Sequence, residues 1–142
     1  MVFNSSLWEK RPQITWDNLL ALTRNFFKNG HGVVIDFVVE DELPWIREKF
    51  RFAELGAEVR YVVLEADTKR IIRQLERRGD PESFERSLFL RDKLRQEPLN
   101  AGFFLDTSGH NKEALLQSVK TASSFILISG NEEARISVEN ST

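Results

Sequence analysis

Apolar residues in this chain fall into two kinds of pattern that alternate along its length. Trp16, Leu19, Leu20, Leu22, Phe26 and Phe27 recur at helical spacing, with Thr15 placed to cap the helix and Gly30 to end it. The next run, Gly32-Val33-Val34-Ile35-Asp36-Phe37-Val38-Val39, is nearly all apolar and β-branched, which predicts a strand covered on both faces. Pro44 suits the first turn of a helix carrying Trp45, Ile46 and Phe50 that stops near Gly56. A second strand is predicted over Glu58-Val59-Arg60-Tyr61-Val62-Val63-Leu64-Glu65. Asp67 or Thr68 caps a helix burying Ile71, Ile72 and Leu75 and ending at Arg78-Gly79. Asp80-Pro81 then restarts a helix that runs to about Gln96, before Pro98. Gly102-Phe103-Phe104-Leu105-Asp106 is a third strand, followed by a helix with Leu115, Leu116 and Val119 and a short apolar run at Phe125–Ile128.

Strands separated by helices imply right-handed crossovers and a mainly parallel sheet with helices on both faces, an α/β class. Ligands in such sheets sit beyond the carboxyl ends of the strands. Asp36, Glu65-Ala66-Asp67 and Asp106-Thr107-Ser108 all fall at or near those ends. The expected organisation is an N-terminal extension over residues 1–15, one α/β domain over 16–129 and a polar tail over 130–142, with no repeat and no dividing linker.

Composition narrows the chemistry. The 142 residues contain no cysteine, which excludes disulfides, thiolate metal sites and Cys nucleophiles and fits a reducing cytoplasm. No apolar run approaches the roughly 20 residues of a membrane span, and the first residues lack the basic-then-apolar order of a secretory signal. The net charge of -2 gives no general reason to expect nucleic acid. Charge is uneven, however: Lys69 to Arg95 holds nine Lys/Arg against five Asp/Glu. That segment reads either as a solvated helix pair or as a cationic lid over an anionic ligand.

Order and spacing together resemble a P-loop kinase of the adenylate-kinase-like group, which includes shikimate, gluconate and antibiotic phosphotransferases. Gly30-His31-Gly32-Val33-Val34-Ile35-Asp36 is similar to that group's strand with an acidic residue near the phosphates. Tyr61-Val62-Val63-Leu64-Glu65-Ala66-Asp67 through Arg73-Gln74-Leu75-Glu76-Arg77-Arg78-Gly79 resembles its strand and arginine-bearing helix. Leu105-Asp106-Thr107-Ser108-Gly109 resembles the loop near the adenine. The resemblance covers roughly Trp16 to Ala122 and implies an incomplete three-layer P-loop sandwich.

What it implies for function is transfer of the ATP γ-phosphate to a small molecule with Mg²⁺. Arg73 and Arg77 would contact nucleotide and transferred phosphate, and Arg86 and Arg91 would form a second cationic pair across the lid. Asp36 would hold Mg²⁺ through water or orient the acceptor hydroxyl, and Asp106, Thr107 and Ser108 would lie by the adenine. Each has a plainer reading. Arg73 and Arg77, four apart on one helix face, can pair with Glu76, Glu82 or Glu85. Asp36 can cap a turn, Glu40-Asp41-Glu42 can be a solvated loop, and Asp106, Thr107 and Ser108 can satisfy N–H groups before a helix. His31 and His110 read as loop residues, and Trp8, Trp16 and Trp45 as core or staple residues.

Nothing in the chain matches G-x-x-x-x-G-K-[ST], whose backbone N–H groups would surround the phosphates. The expectation is therefore a truncated or degenerate kinase-like chain that is inactive alone and binds neither ATP nor Mg²⁺ tightly. In the family the missing first strand lies between those matching the Gly32 and Glu58 runs. Two apolar edges would then face a gap, to be closed by direct pairing, by Phe125–Ile128, or by a second copy or another protein. The rival expectation is a non-catalytic binding or assembly module. RNA or anion binding through Lys69–Arg95 stands third.

Overall fold

The computed structural model describes residues 5–130, with side chains from residue 13 onward. The polar tail expected beyond residue 130 and Trp8 lie outside those descriptions. Residues group into two compact units, one of residues up to 38 with Pro44–Ala57 and Gly130, the other of Val39–Leu43 with Glu58–Ser129.

In the first unit, α1 (Ser5–Lys28) begins ten residues before the cap expected at Thr15 and passes through Pro12. Extending a formed helix costs far less than nucleating one, so an internal Thr is no boundary. Two residues past its end, Gly30 adopts a positive φ of 86°, and His31 N–H donates to the Phe26 carbonyl at 3.0 Å. A short helix, α2 (Leu43–Lys49), carries Trp45 and Ile46, and a 3-10 turn at Ala53–Leu55 closes on Gly56. Trp16 is 2% exposed and packs edge-on to Phe37 and Phe50, at centroid distances of 5.1 and 6.4 Å. Phe50 and Phe52 continue this aromatic core. Gly130 approaches so closely that a Cβ there would stand 2.4 Å from the Gly56 carbonyl oxygen.

The expected strand at Gly32–Val39 is not one. Residues 31–39 have no regular structure, and Val34 is 96% exposed. Side-chain propensity alone does not make a strand; the backbone needs a neighbour for its ladder. Phe37 is the exception to this exposure in kind, since its ring also touches Trp16.

In the second unit, the Glu58–Glu65 run divides into β1 (Val59–Arg60) and β2 (Val63–Glu65). Helix α3 (Thr68–Arg78) follows, capped by Asp67, whose carboxylate accepts from Arg70 N–H at 2.7 Å, and ended by Gly79 in the left-handed region. Pro81 opens a 3-10 turn into α4 (Phe84–Gln96), as the Asp-Pro signal predicts. Then come β3 (Phe104–Asp106), α5 (Lys112–Thr121) and β4 (Ile126–Ile128).

Two two-stranded sheets stand in place of the single parallel sheet that was expected. β2 pairs with β3 in parallel, Val63 opposite Phe104 and Glu65 opposite Asp106. β4 pairs antiparallel with β1, and Arg60 donates to the Val119 and Ala122 carbonyls at 2.8 Å each, closing the end of α5. The class is mixed α/β, and the parallel pair joined through α3 and α4 is the part of the expected architecture that forms.

Candidate functional site

The carboxyl ends of β2 and β3 bring together the polar residues that the alternating pattern assigns to a ligand edge. Glu65 and Asp106 are register partners there. Thr107 returns to β2 twice: its N–H and its hydroxyl both donate to the Glu65 carbonyl, at 2.9 and 2.7 Å. Arg70, in the first turn of α3, donates to the Thr107 carbonyl. Asp106 accepts the Ser108 N–H at 2.8 Å, and the Ser108 hydroxyl reaches Asp67 at 3.5 Å. Hydrogen bonding from Ser108, its backbone N–H foremost, holds the Asp106 carboxyl below its ordinary range. Thus Asp106 at the end of β3, with Thr107 and Ser108 just beyond it, lies together with the end of β2 and the start of α3, tied to both by hydrogen bonds.

Helix α4 supplies the cationic side. Arg95 donates to Glu65 at 2.7 Å and Arg91 to the Thr68 hydroxyl at 2.8 Å. Arg86 meets Glu40 at 2.5 Å, and Lys93 lies 3.4 Å from Glu40 and 3.1 Å from Asp41. The Asp41 hydrogen bond is the largest influence raising the Lys93 pKa. Among the described residues neither Arg73 nor Arg77 has such a partner. Both are exposed, and Arg73 Nε only leans back on the Lys69 carbonyl at 3.4 Å. The pairing expected with Glu76, Glu82 or Glu85 is not among the ion pairs of the described residues. The basic segment thus separates into an α4 row neutralised by the chain's own acids and an α3 row open to water.

Asp36 lies in the other unit, exposed, within the irregular segment 31–39. It does not end a strand, contrary to the expected strand-terminal position, because the 32–39 run has no ladder partner. No group of three or more His, Asp or Glu among the described residues could hold a metal ion. His31 lies in a loop against the Phe26 ring, and His110 is an exposed loop residue. The α4 cations Arg86, Arg91, Lys93 and Arg95 are thus engaged by groups of the chain itself.

Sequence patterns placed Glu65 at a strand end but passed over its pairing with Arg95, and passed over Lys93 and the pair Tyr61 and Asn100. The four-residue step from Arg91 to Arg95 on α4 was a usable signal for the first. Asn100 carried none, because a lone Asn after Pro98 reads as turn. A shallow recess of about 240 Å³ lined by Ile72, Leu75, Glu76, Pro81 and Phe84 contains none of the expected site residues. No helix among the described residues is long and apolar enough to cross a membrane. No family model, curated protein or solved structure matches the chain.

Proposed function

We propose that this is a P-loop-kinase-like chain without the phosphate-binding loop, and that by itself it performs no phosphoryl transfer. The observation that carries the reading is the parallel pairing of β2 with β3, joined through α3 and α4, with Glu65 opposite Asp106 at the carboxyl ends. A strand, an arginine-bearing helix, a second helix and a neighbouring parallel strand stand in the order the resemblance requires. The intact kinase-like form would use ATP and Mg²⁺, with Arg73 and Arg77 toward nucleotide and phosphate and a small-molecule acceptor. The sequence holds no G-x-x-x-x-G-K-[ST] loop, whose ring of backbone N–H donors is the element for which side-chain cations are a poor replacement. The test is a coupled phosphotransfer assay on purified chain with Mg²⁺-ATP, alongside titration of a fluorescent ATP analogue. No metal-dependent turnover and no saturable binding at sub-millimolar nucleotide are expected. A robust metal-dependent rate overturns the reading.

A second reading, a non-catalytic binding or assembly module, is favoured by the exposed apolar side chains of residues 33–38. Val34 is 96% exposed and Val33, Phe37 and Val38 lie between 38% and 47%. An extended apolar run without a ladder partner is suited to pairing with another chain. Sedimentation velocity separates the two: a defined oligomer favours assembly, a monomer the first reading.

A further inference from the structure

We propose that the Arg86–Phe89–Lys93 face of α4 is a docking site for a short acidic peptide segment of another protein, held closed in this chain by its own Glu40-Asp41 loop. The inference stands on the second unit alone and is independent of any kinase kinship.

Arg86 and Lys93 are seven residues apart on α4, hence nearly in line along one face. Both reach the same carboxylate. Arg86 donates to one oxygen of Glu40 at 2.5 Å, and Lys93 lies 3.4 Å from the other. Lys93 also holds Asp41 at 3.1 Å. Between them stands Phe89, 56% exposed, with the Arg86 guanidinium 5.5 Å from its ring centroid. The helix therefore displays cation, aromatic and cation in a row, and the ligand seated on it is a pair of consecutive acidic residues preceded by valine. Occupation in cis identifies the chemistry the face accepts: two carboxylates at adjacent positions. The exposed ring favours a peptide over a free inorganic anion, which has nothing to lay against it.

The occupant is replaceable because of how it is held. The side chains of Arg86 and Asp41 are 59% and 76% exposed, so these pairs are wetted and screened by salt. Glu42 accepts the Glu40 and Asp41 N–H groups at 2.8 and 3.0 Å, so the loop keeps its own turn when its side chains leave α4. A site open one time in ten binds an outside ligand about tenfold more weakly than a permanently open one.

The test uses the full chain and a synthetic peptide of the loop sequence Phe37–Pro44, with a Gln-Asn analogue in place of Glu40-Asp41 as control. Binding is read by fluorescence anisotropy in low salt. E40Q/D41N is expected to bind the peptide about tenfold more tightly than the unmodified chain. Adding R86Q/K93Q removes that binding, the Gln-Asn analogue does not bind, and rising salt weakens the complex. Equal affinity of the unmodified chain and E40Q/D41N, binding that survives R86Q/K93Q, or capture of inorganic phosphate with no peptide binding overturns the proposal. Should E40Q/D41N lose its near-ultraviolet circular dichroism, hydrogen exchange of amides 39–43 in the unmodified chain decides instead. Peptide must accelerate that exchange, and an unchanged rate overturns the proposal.

Discussion

The Tyr61 hydroxyl donates to Asn100 Oδ1 at 2.9 Å, and Asn100, only 1% exposed, in turn donates from Nδ2 to the Leu94 carbonyl at 3.1 Å. A buried amide with both ends satisfied ties the strand region after β1 to the turn that follows α4. Tyr61→Phe deletes one donor and leaves Oδ1 without its partner, a loss of about 1–3 kcal/mol. Chemical denaturation checks this, and an unchanged midpoint would mean that water replaces the hydroxyl.

The same tyrosine has a pH signature. Burial, then the nearby charges of Glu42 and Glu97, push its pKa up to about 12. The folded state holds the phenolic proton more tightly than the unfolded chain, whose tyrosine titrates near 10. Its contribution to stability is therefore complete below about pH 10 and is lost as pH rises toward 12. Tyr61 is the chain's one tyrosine, so absorbance at 295 nm reports it alone. Folded protein is expected to ionise near 12 and urea-unfolded protein near 10.

Helix α3 depends on its two ends. Asp67→Ala removes the acceptor for Arg70 N–H and should cost about 1 kcal/mol. Gly79→Ala places a side chain at φ 68° and should cost a similar amount. Because Asp67 also meets Ser108, its loss should loosen amide protection in the 106–108 loop, whereas Gly79→Ala should not. Equal protection changes in both variants would count against that coupling.

Trp16→Ala empties the centre of the aromatic core of the first unit and should destabilise it by about 3–5 kcal/mol. Thermal melting followed by near-ultraviolet circular dichroism measures the loss. Val34→Lys, at a position 96% exposed, should shift stability by no more than about 0.5 kcal/mol. If another chain covers residues 33–38, the same substitution lowers the sedimentation coefficient without altering the melting temperature.

Helix ends and turn residues were legible because their signals are local. Asp67, Gly79, the Asp80-Pro81 restart and the end of α4 near Gln96 all stand where the residue types alone place them. The parallel partnership of the Val63 and Phe104 runs followed from strand and helix alternation. Gly32–Val39 failed because a strand is a property of two backbones, and one sequence window contains only one. Thr15 failed because a capping residue inside a continuing helix looks like any other threonine. Spacing placed Asp106, Thr107 and Ser108 at the end of a strand, where β3 and the turn after it hold them. It could not tell that Arg86, Lys93 and Arg95 would turn toward Glu40, Asp41 and Glu65, since those pairs join residues far apart in the chain.

The bond from Thr107 to Glu65 closes a span of 42 positions, with two helices lying between its ends. Such closure gains nothing until the intervening segment has already shortened itself, so α3 and α4 should gather before β2 meets β3. During synthesis β2 therefore leaves the ribosome well ahead of its mate, with Leu64 and its amides open to neighbours. The nascent polypeptide has an interval of vulnerability whose length is set by translation speed across the two helices.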